Sequence, residues 1–184
     1  MRHLCIMSII ALIGLGASST GAVEVTIGGF GGYNIPIVQD DAGPGPLLGL
    51  KVKLATTMPF TVEPYFLMIT EGDKEHSEEG IDFTQEGGSI QAFGVDLAFG
   101  SYRKDPGANL YFVAGLGAYS RDPGQDYRDK TTQFGFDIGL GLVWKVMPML
   151  DLDLSGRMHA FMLEDGGSRK SGGIAAGLNY YFMQ

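Results

Sequence analysis

The chain has 184 residues, enough for one domain and too few for a second sizeable core. Glycine is abundant at 29 residues, charge is modest at 18%, and no long apolar helical pattern occurs, which argues against a helical bundle. With 13 Lys and Arg against 21 Asp and Glu the formal charge is −8, which argues against nucleic acid as a partner.

The first element is a secretory signal. Arg2 and His3 precede an apolar run from Ile6 to Leu15, followed by the small residues Ala17, Ser18, Ser19, Thr20, Gly21 and Ala22. The run is far shorter than the ~20 residues of a spanning helix. Cleavage is expected after Ala22, so that residues 1–22 are signal and 23–184 are the folded domain. The single cysteine, Cys5, lies inside the signal, so no thiol or disulfide is expected in the mature chain. Loss of Arg2 leaves 12 cations against 21 anions, or −9.

From Val23 onward the chain reads as strands separated by turn clusters. They are placed at about 23–35, 47–58, 60–70, 89–100, 109–120, 132–146, 149–163 and 172–183. Each is near or above the ~9–11 tilted residues that cross a bilayer, and eight is the smallest common size for a closed transmembrane barrel. The predicted fold is therefore all-β, an eight-stranded antiparallel up-and-down barrel. Connections alternate in character. Gln39–Pro46, Glu71–Gly88, Arg121–Thr131 and Glu164–Ser171 are polar and read as outer loops. Thr57-Met58-Pro59, Ser101–Ala108 and Met147-Pro148-Met149 read as periplasmic turns. Pro64 cannot donate to a ladder, which leaves room for a bulge in the third strand.

The clearest face assignment comes from Leu150 to His159. Leu150, Leu152, Leu154 and Met158 alternate with Asp151, Asp153, Ser155, Arg157 and His159. After a secretory signal, and in segments of spanning length, this pattern is expected to turn its apolar side to lipid and its charges to a closed lumen. The same phase turns outward Leu48, Leu50, Val52 and Leu54 in the second strand, and Phe93, Val95, Leu97 and Phe99 in the fourth. It brings Phe60, Phe99, Trp144, Tyr180 and Phe182 to the periplasmic rim as an aromatic girdle.

The last strand, Ile174-Ala175-Ala176-Gly177-Leu178-Asn179-Tyr180-Tyr181-Phe182, carries a resemblance. With these residues the chain resembles the small eight-stranded outer-membrane barrels: the OmpA transmembrane domain, OmpX and the opacity-type proteins. The likeness spans roughly Val23 to Phe182. It implies that Ile174, Ala176, Leu178, Tyr180 and Phe182 form a C-terminal signal read by the barrel assembly machinery. The chain departs from the pattern by continuing through Met183 and Gln184. No peptidoglycan-binding domain follows, so the tethering role of full-length OmpA proteins is not expected.

The inward positions hold Lys51, Lys53, Glu63, Asp96, Asp137, Lys145, Asp151, Asp153, Arg157 and His159. An eight-stranded barrel is just wide enough to be filled by its own side chains, and charges there must be paired. Turns centred on Met58 and Pro148 place Lys53 opposite Glu63, Lys145 opposite Asp151, and Asp137 opposite His159 with Arg157 diagonal. The expected result is an ion-pair network that fills the lumen. The alternative is a gate, in which partner exchange around Arg157, Asp153 and Asp96 opens a narrow water path beside Gly94, Gly115, Gly139, Gly141 and Gly177.

Other sites read weakly. Only His76 and His159 survive signal cleavage, and neither lies two residues from a serine, so a lipid-modifying catalytic pair is not expected and His159 reads as structural. Glu71–Gly88 carries Glu71, Asp73, Glu75, Glu78, Glu79, Asp82 and Glu86 against Lys74 and reads as a solvated acidic loop without calcium-loop spacing. Gly28-Gly29-Phe30-Gly31-Gly32 lacks the Gly-Lys-Ser/Thr of a phosphate loop. The expectation is a non-enzymatic, monomeric outer-membrane barrel without cofactor or metal, in contact with lipid, lipopolysaccharide and the assembly machinery. Its role is structural or surface-interacting through the outer loops. A small-solute pore is the competing class, and a lipid-active enzyme or a lipocalin-like binder are remoter ones.

Overall fold

The computed structural model describes residues 24–37, 42–55, 58–78, 81–100, 107–123, 130–163 and 167–182. The proposed signal, Cys5 and the cleavage point lie outside them. Ten strands follow one another: β1 (Glu24–Ile37), β2 (Gly45–Ala55), β3 (Phe60–Thr70), β4 (Lys74–Glu78), β5 (Ile81–Gln85), β6 (Ser89–Phe99), β7 (Ala108–Asp122), β8 (Thr131–Met147), β9 (Leu150–Met162) and β10 (Ser168–Tyr181). Eight close into an antiparallel barrel in the order β1-β10-β9-β8-β7-β6-β3-β2, and β4 and β5 form a separate two-stranded hairpin.

The barrel strands run from 11 residues in β2, β3 and β6 to 17 in β8, so each satisfies the length needed to cross a bilayer. Closure comes from β1, which pairs with β2 on one side and β10 on the other, leaving the barrel no open edge. Pro64 does not produce a bulge. It pairs in register with Val95, and on the β2 side the ladder lapses between Lys51↔Tyr65 and Leu54↔Val62 without shifting. The missing amide is tolerated because the register is held above and below it. The irregularity falls instead between Lys145 and Met147, where β8 turns into β9.

Two strands reach further into the long-connection end than the turn residues suggest. β7 continues through Arg121 and Asp122, and β10 begins at Ser168, which pairs with Met162. The acidic connection also contains β4 and β5, so it is not wholly loop.

The faces settle which side is core. Leu48 is 65% exposed, Phe134 66% and Ile174 67%, while Glu63, Asp96 and Asp137 are fully buried. An apolar exterior around a charged interior is stable only in lipid. That arrangement excludes the lipocalin-like alternative, whose apolar face would point inward.

The lumen is filled in layers. Towards the long connections lies an apolar layer of Leu47, Leu67, Ile69, Ile90, Ala92 and Phe161, with Tyr65 and Tyr119 in the same cluster. Towards the short turns lies a smaller one, Ala98, Tyr111, Val113 and Val143. Glycines make room for the rings. A Cβ on Gly141 would fall within the Tyr111 ring. Gly141→Ala is therefore expected to lose about 1–3 kcal/mol in urea unfolding followed by gel mobility, because Tyr111 must leave its place. An unchanged midpoint would contradict this close approach.

Candidate functional site: the ionic lumen

Between the two apolar layers every barrel strand but β1 contributes a polar side chain to one connected network. β9 supplies two of its nodes. The first is Asp153, whose Oδ2 accepts from Lys51 Nζ at 2.6 Å, Lys53 Nζ at 3.1 Å and Asn179 Nδ2 at 3.1 Å. Its Oδ1 accepts from the Tyr111 hydroxyl at 2.7 Å. The second is Arg157, which donates to Asp96 and, at 3.4 Å, to Asp137 Oδ1. Glu63 joins the two nodes. Its carboxylate lies 3.8 Å from Lys51, 3.7 Å from Lys53 and 4.0 Å from Arg157.

A tyrosine relay extends the network towards the long connections. Tyr65 donates to Asp137 Oδ2 at 3.0 Å and shares a 3.2 Å bond with Tyr119, whose hydroxyl lies 3.1 Å from His159 Nδ1. Lys53 also sits 5.6 Å from the Tyr111 ring centre, and Lys51 5.8 Å from that of Phe30. Three cations, Lys51, Lys53 and Arg157, thus face four carboxylates, Glu63, Asp96, Asp137 and Asp153. In a water-poor interior such groups persist only when each finds a partner.

The predicted partners divide into two groups. Lys53 lies beside Glu63, and Arg157 beside Asp137. Lys145 is in register with Asp151, yet it is half-buried at the strand end and makes no ion pair with it; Asp151 instead accepts from the Tyr181 hydroxyl. Asp137 and His159 are also in register, but each bonds to a tyrosine rather than to the other. The reason is reach: directly opposed backbones do not compel contact when a longer side chain arrives first, from the distant strand β3 for Tyr65 and from the neighbouring strand β10 for Tyr181. Tyr65, Tyr111, Tyr119 and Asn179 were not among the predicted lumen residues. All four lie on inward phases of their strands, and that alternation was the available signal. His159 is engaged by Tyr119, with ring centres 6.0 Å apart, and carries no serine partner.

An internal cavity remains beside this network, lined by Phe30, Leu47, Tyr65, Leu67, Arg157 and His159 among others. Its volume of about 20 Å³ suits roughly one water molecule.

At the short-turn end several aromatics lie close together. Phe60 and Phe99 are paired in register with ring centres 5.9 Å apart, and Tyr180 meets Phe182 edge-on at 5.2 Å. Trp144 is exposed on the same rim, two residues from Leu142 on the outward face of β8. Ile174, Ala176, Leu178 and Tyr180 all face outward along β10, with Phe182 just beyond it.

A closed eight-stranded barrel, apolar outside and ionic within, defines a transmembrane β-barrel of the outer-membrane type. Solved structures of that class share its fold. Neisserial surface protein A matches with TM-score 0.59 and 13% identity, covering 89% of this chain and all of that one. The N-terminal β-barrel domain of Pseudomonas aeruginosa OprF matches with TM-score 0.54 and 17% identity over 88% of this chain and all of that one. A major outer membrane protein from Thermus thermophilus matches with TM-score 0.52 and 14% identity, again over 88% and 100%. No protein-family model and no curated protein matches the chain.

A substitution on the wall tests the polarity of the barrel directly. Phe136 is outward-facing and 52% exposed, near the middle of β8. Phe136→Arg is expected to cost about 2–4 kcal/mol in lipid bilayers, measured by urea unfolding of the inserted protein. A neutral result would mean that this wall does not meet hydrocarbon.

Proposed function

We propose that the protein resides in the bacterial outer membrane, exported through a cleaved signal, and acts there as a non-enzymatic barrel. Its role is structural or surface-interacting, exercised through the long connections on the cell exterior. The observation that carries this reading is the filled lumen: among the described residues, the cavity beside Arg157 and His159 has a volume of about 20 Å³, which supports a plug over a solute path. The rim aromatics Phe60, Phe99, Trp144, Tyr180 and Phe182 would sit at the inner headgroups. The β10 pattern of Ile174, Ala176, Leu178, Tyr180 and Phe182 would be read by the assembly machinery, and lipopolysaccharide would surround the outer half.

Recording across planar bilayers tests it, with heat-dependent gel mobility of the same sample as proof of a folded barrel. The folded protein is expected to give no discrete conductance steps. Reproducible steps that change in Arg157→Ala would replace this reading with that of a narrow pore.

A further inference from the structure

The root of the acidic connection is not solvated. Glu71 is only 4% exposed, and its carboxylate takes two guanidinium groups. Oε1 accepts from Arg169 Nε at 3.0 Å and Nη2 at 2.6 Å, while Oε2 accepts from Arg121 Nε at 3.3 Å and Nη2 at 3.2 Å. Forked, charge-assisted contacts of this kind are the strong ones. Glu71 follows β3, Arg121 lies near the end of β7, and Arg169 is the second residue of β10. In the barrel order these three strands are two, three and three steps apart, so the contacts span the mouth instead of joining neighbours.

The same root is stitched by its backbone. Glu71 N donates to Gly88 O at 2.7 Å, Gly87 N to Asp73 Oδ1 at 2.8 Å, and Gly43 and Gly72 exchange bonds of 2.7 and 3.0 Å. These contacts hold both legs of the β4–β5 hairpin. The ladders beneath, Thr70↔Ser89 and Ser89↔Asp122, do not depend on the carboxylate.

We propose that Glu71 is a latch: one carboxylate, gripped by Arg121 and Arg169 from two other walls, fixes the acidic β4–β5 hairpin at the barrel mouth. Releasing it leaves the hairpin root held by its few remaining bonds at Gly43, Gly87 and Gly88 and so loosens it, while the barrel stays closed. Local opening of this kind is available because the latch and the ladder are separate sets of bonds. The inference stands apart from the proposed function, since it concerns how the outer segment is held and not what it meets.

The test is proteinase K cleavage within residues 74–85 of protein folded in lipid bilayers, with cut sites read by mass spectrometry. E71Q and E71R are each expected to speed cleavage there by about tenfold or more, with heat-dependent mobility unchanged. The exchange E71R/R169E is expected to slow it again, because the opposite charges meet once more across the mouth. Unchanged cleavage in folded E71Q and E71R overturns the latch, as does a charge exchange no slower than E71R. Failure of the near-isosteric E71Q to fold also overturns it, by making Glu71 part of the barrel itself.

Discussion

Asp153→Ala is expected to lower the stability of the inserted barrel by about 3–5 kcal/mol, the largest single effect in the lumen. The carboxylate is the common acceptor for Lys51, Lys53, Tyr111 and Asn179, and it is 3% exposed. Its removal leaves two buried ammonium groups that share only Glu63, at 3.8 and 3.7 Å. Charge, not shape, is the cause, so Asp153→Asn should retain most of the loss. Lys145→Ala is the contrast. That lysine makes no ion pair with Asp151, and its loss should stay within about 0.5 kcal/mol. Urea titration in bilayers, read by gel mobility without boiling, gives all three. Equal midpoints for Asp153→Ala and Lys145→Ala would refute the assignment of Asp153 as the central acceptor.

Arg157→Ala is expected to be nearly as costly, at about 3–5 kcal/mol, for a different reason. Glu63 and Asp96 are directly paired across β3 and β6, a placement that repels when both are charged. Arg157 makes it tolerable by donating to Asp96 and lying 4.0 Å from Glu63, while it also reaches Asp137. Without the guanidinium three buried carboxylates face one another. Adding Asp96→Asn to Arg157→Ala should therefore recover part of the loss, the opposite of two independent defects. If the double variant is less stable than Arg157→Ala alone, repulsion is not the mechanism.

The architecture was largely legible in the chain. Period-two alternation assigned Leu152 and Leu154 to one environment and Asp151 and Asp153 to the other, and spacing gave eight spanning segments. β3 falls on the expected 60–70, and the other barrel strands begin or end within a few residues of expectation. Tight turns at Met58 and Pro148 also set the neighbour registers, including Lys145 with Asp151 and Asp137 with His159. What alternation could not carry was side-chain reach. Tyr65 outcompetes His159 for Asp137 from across the barrel, and Tyr181, diagonal on the neighbouring β10, takes Asp151 in place of Lys145.

The outer end was the least legible part. Glu71 stands among seven acidic residues and reads as solvated, because its partners Arg121 and Arg169 lie 50 and 98 residues away. The hairpin β4–β5 was hidden for a related cause: its strands are five residues each, too short for a periodic signal.

The number of barrel strands, the two faces of β2, β6, β8, β9 and β10, and the charges that would need partners were all readable in the chain, because these depend on local period and neighbouring turns. Which partners meet follows from the closure of the barrel and the reach of each side chain. Closing β1 against β10 and β2 brings facing walls together, and contacts between walls depend on that closure, not on spacing along the chain.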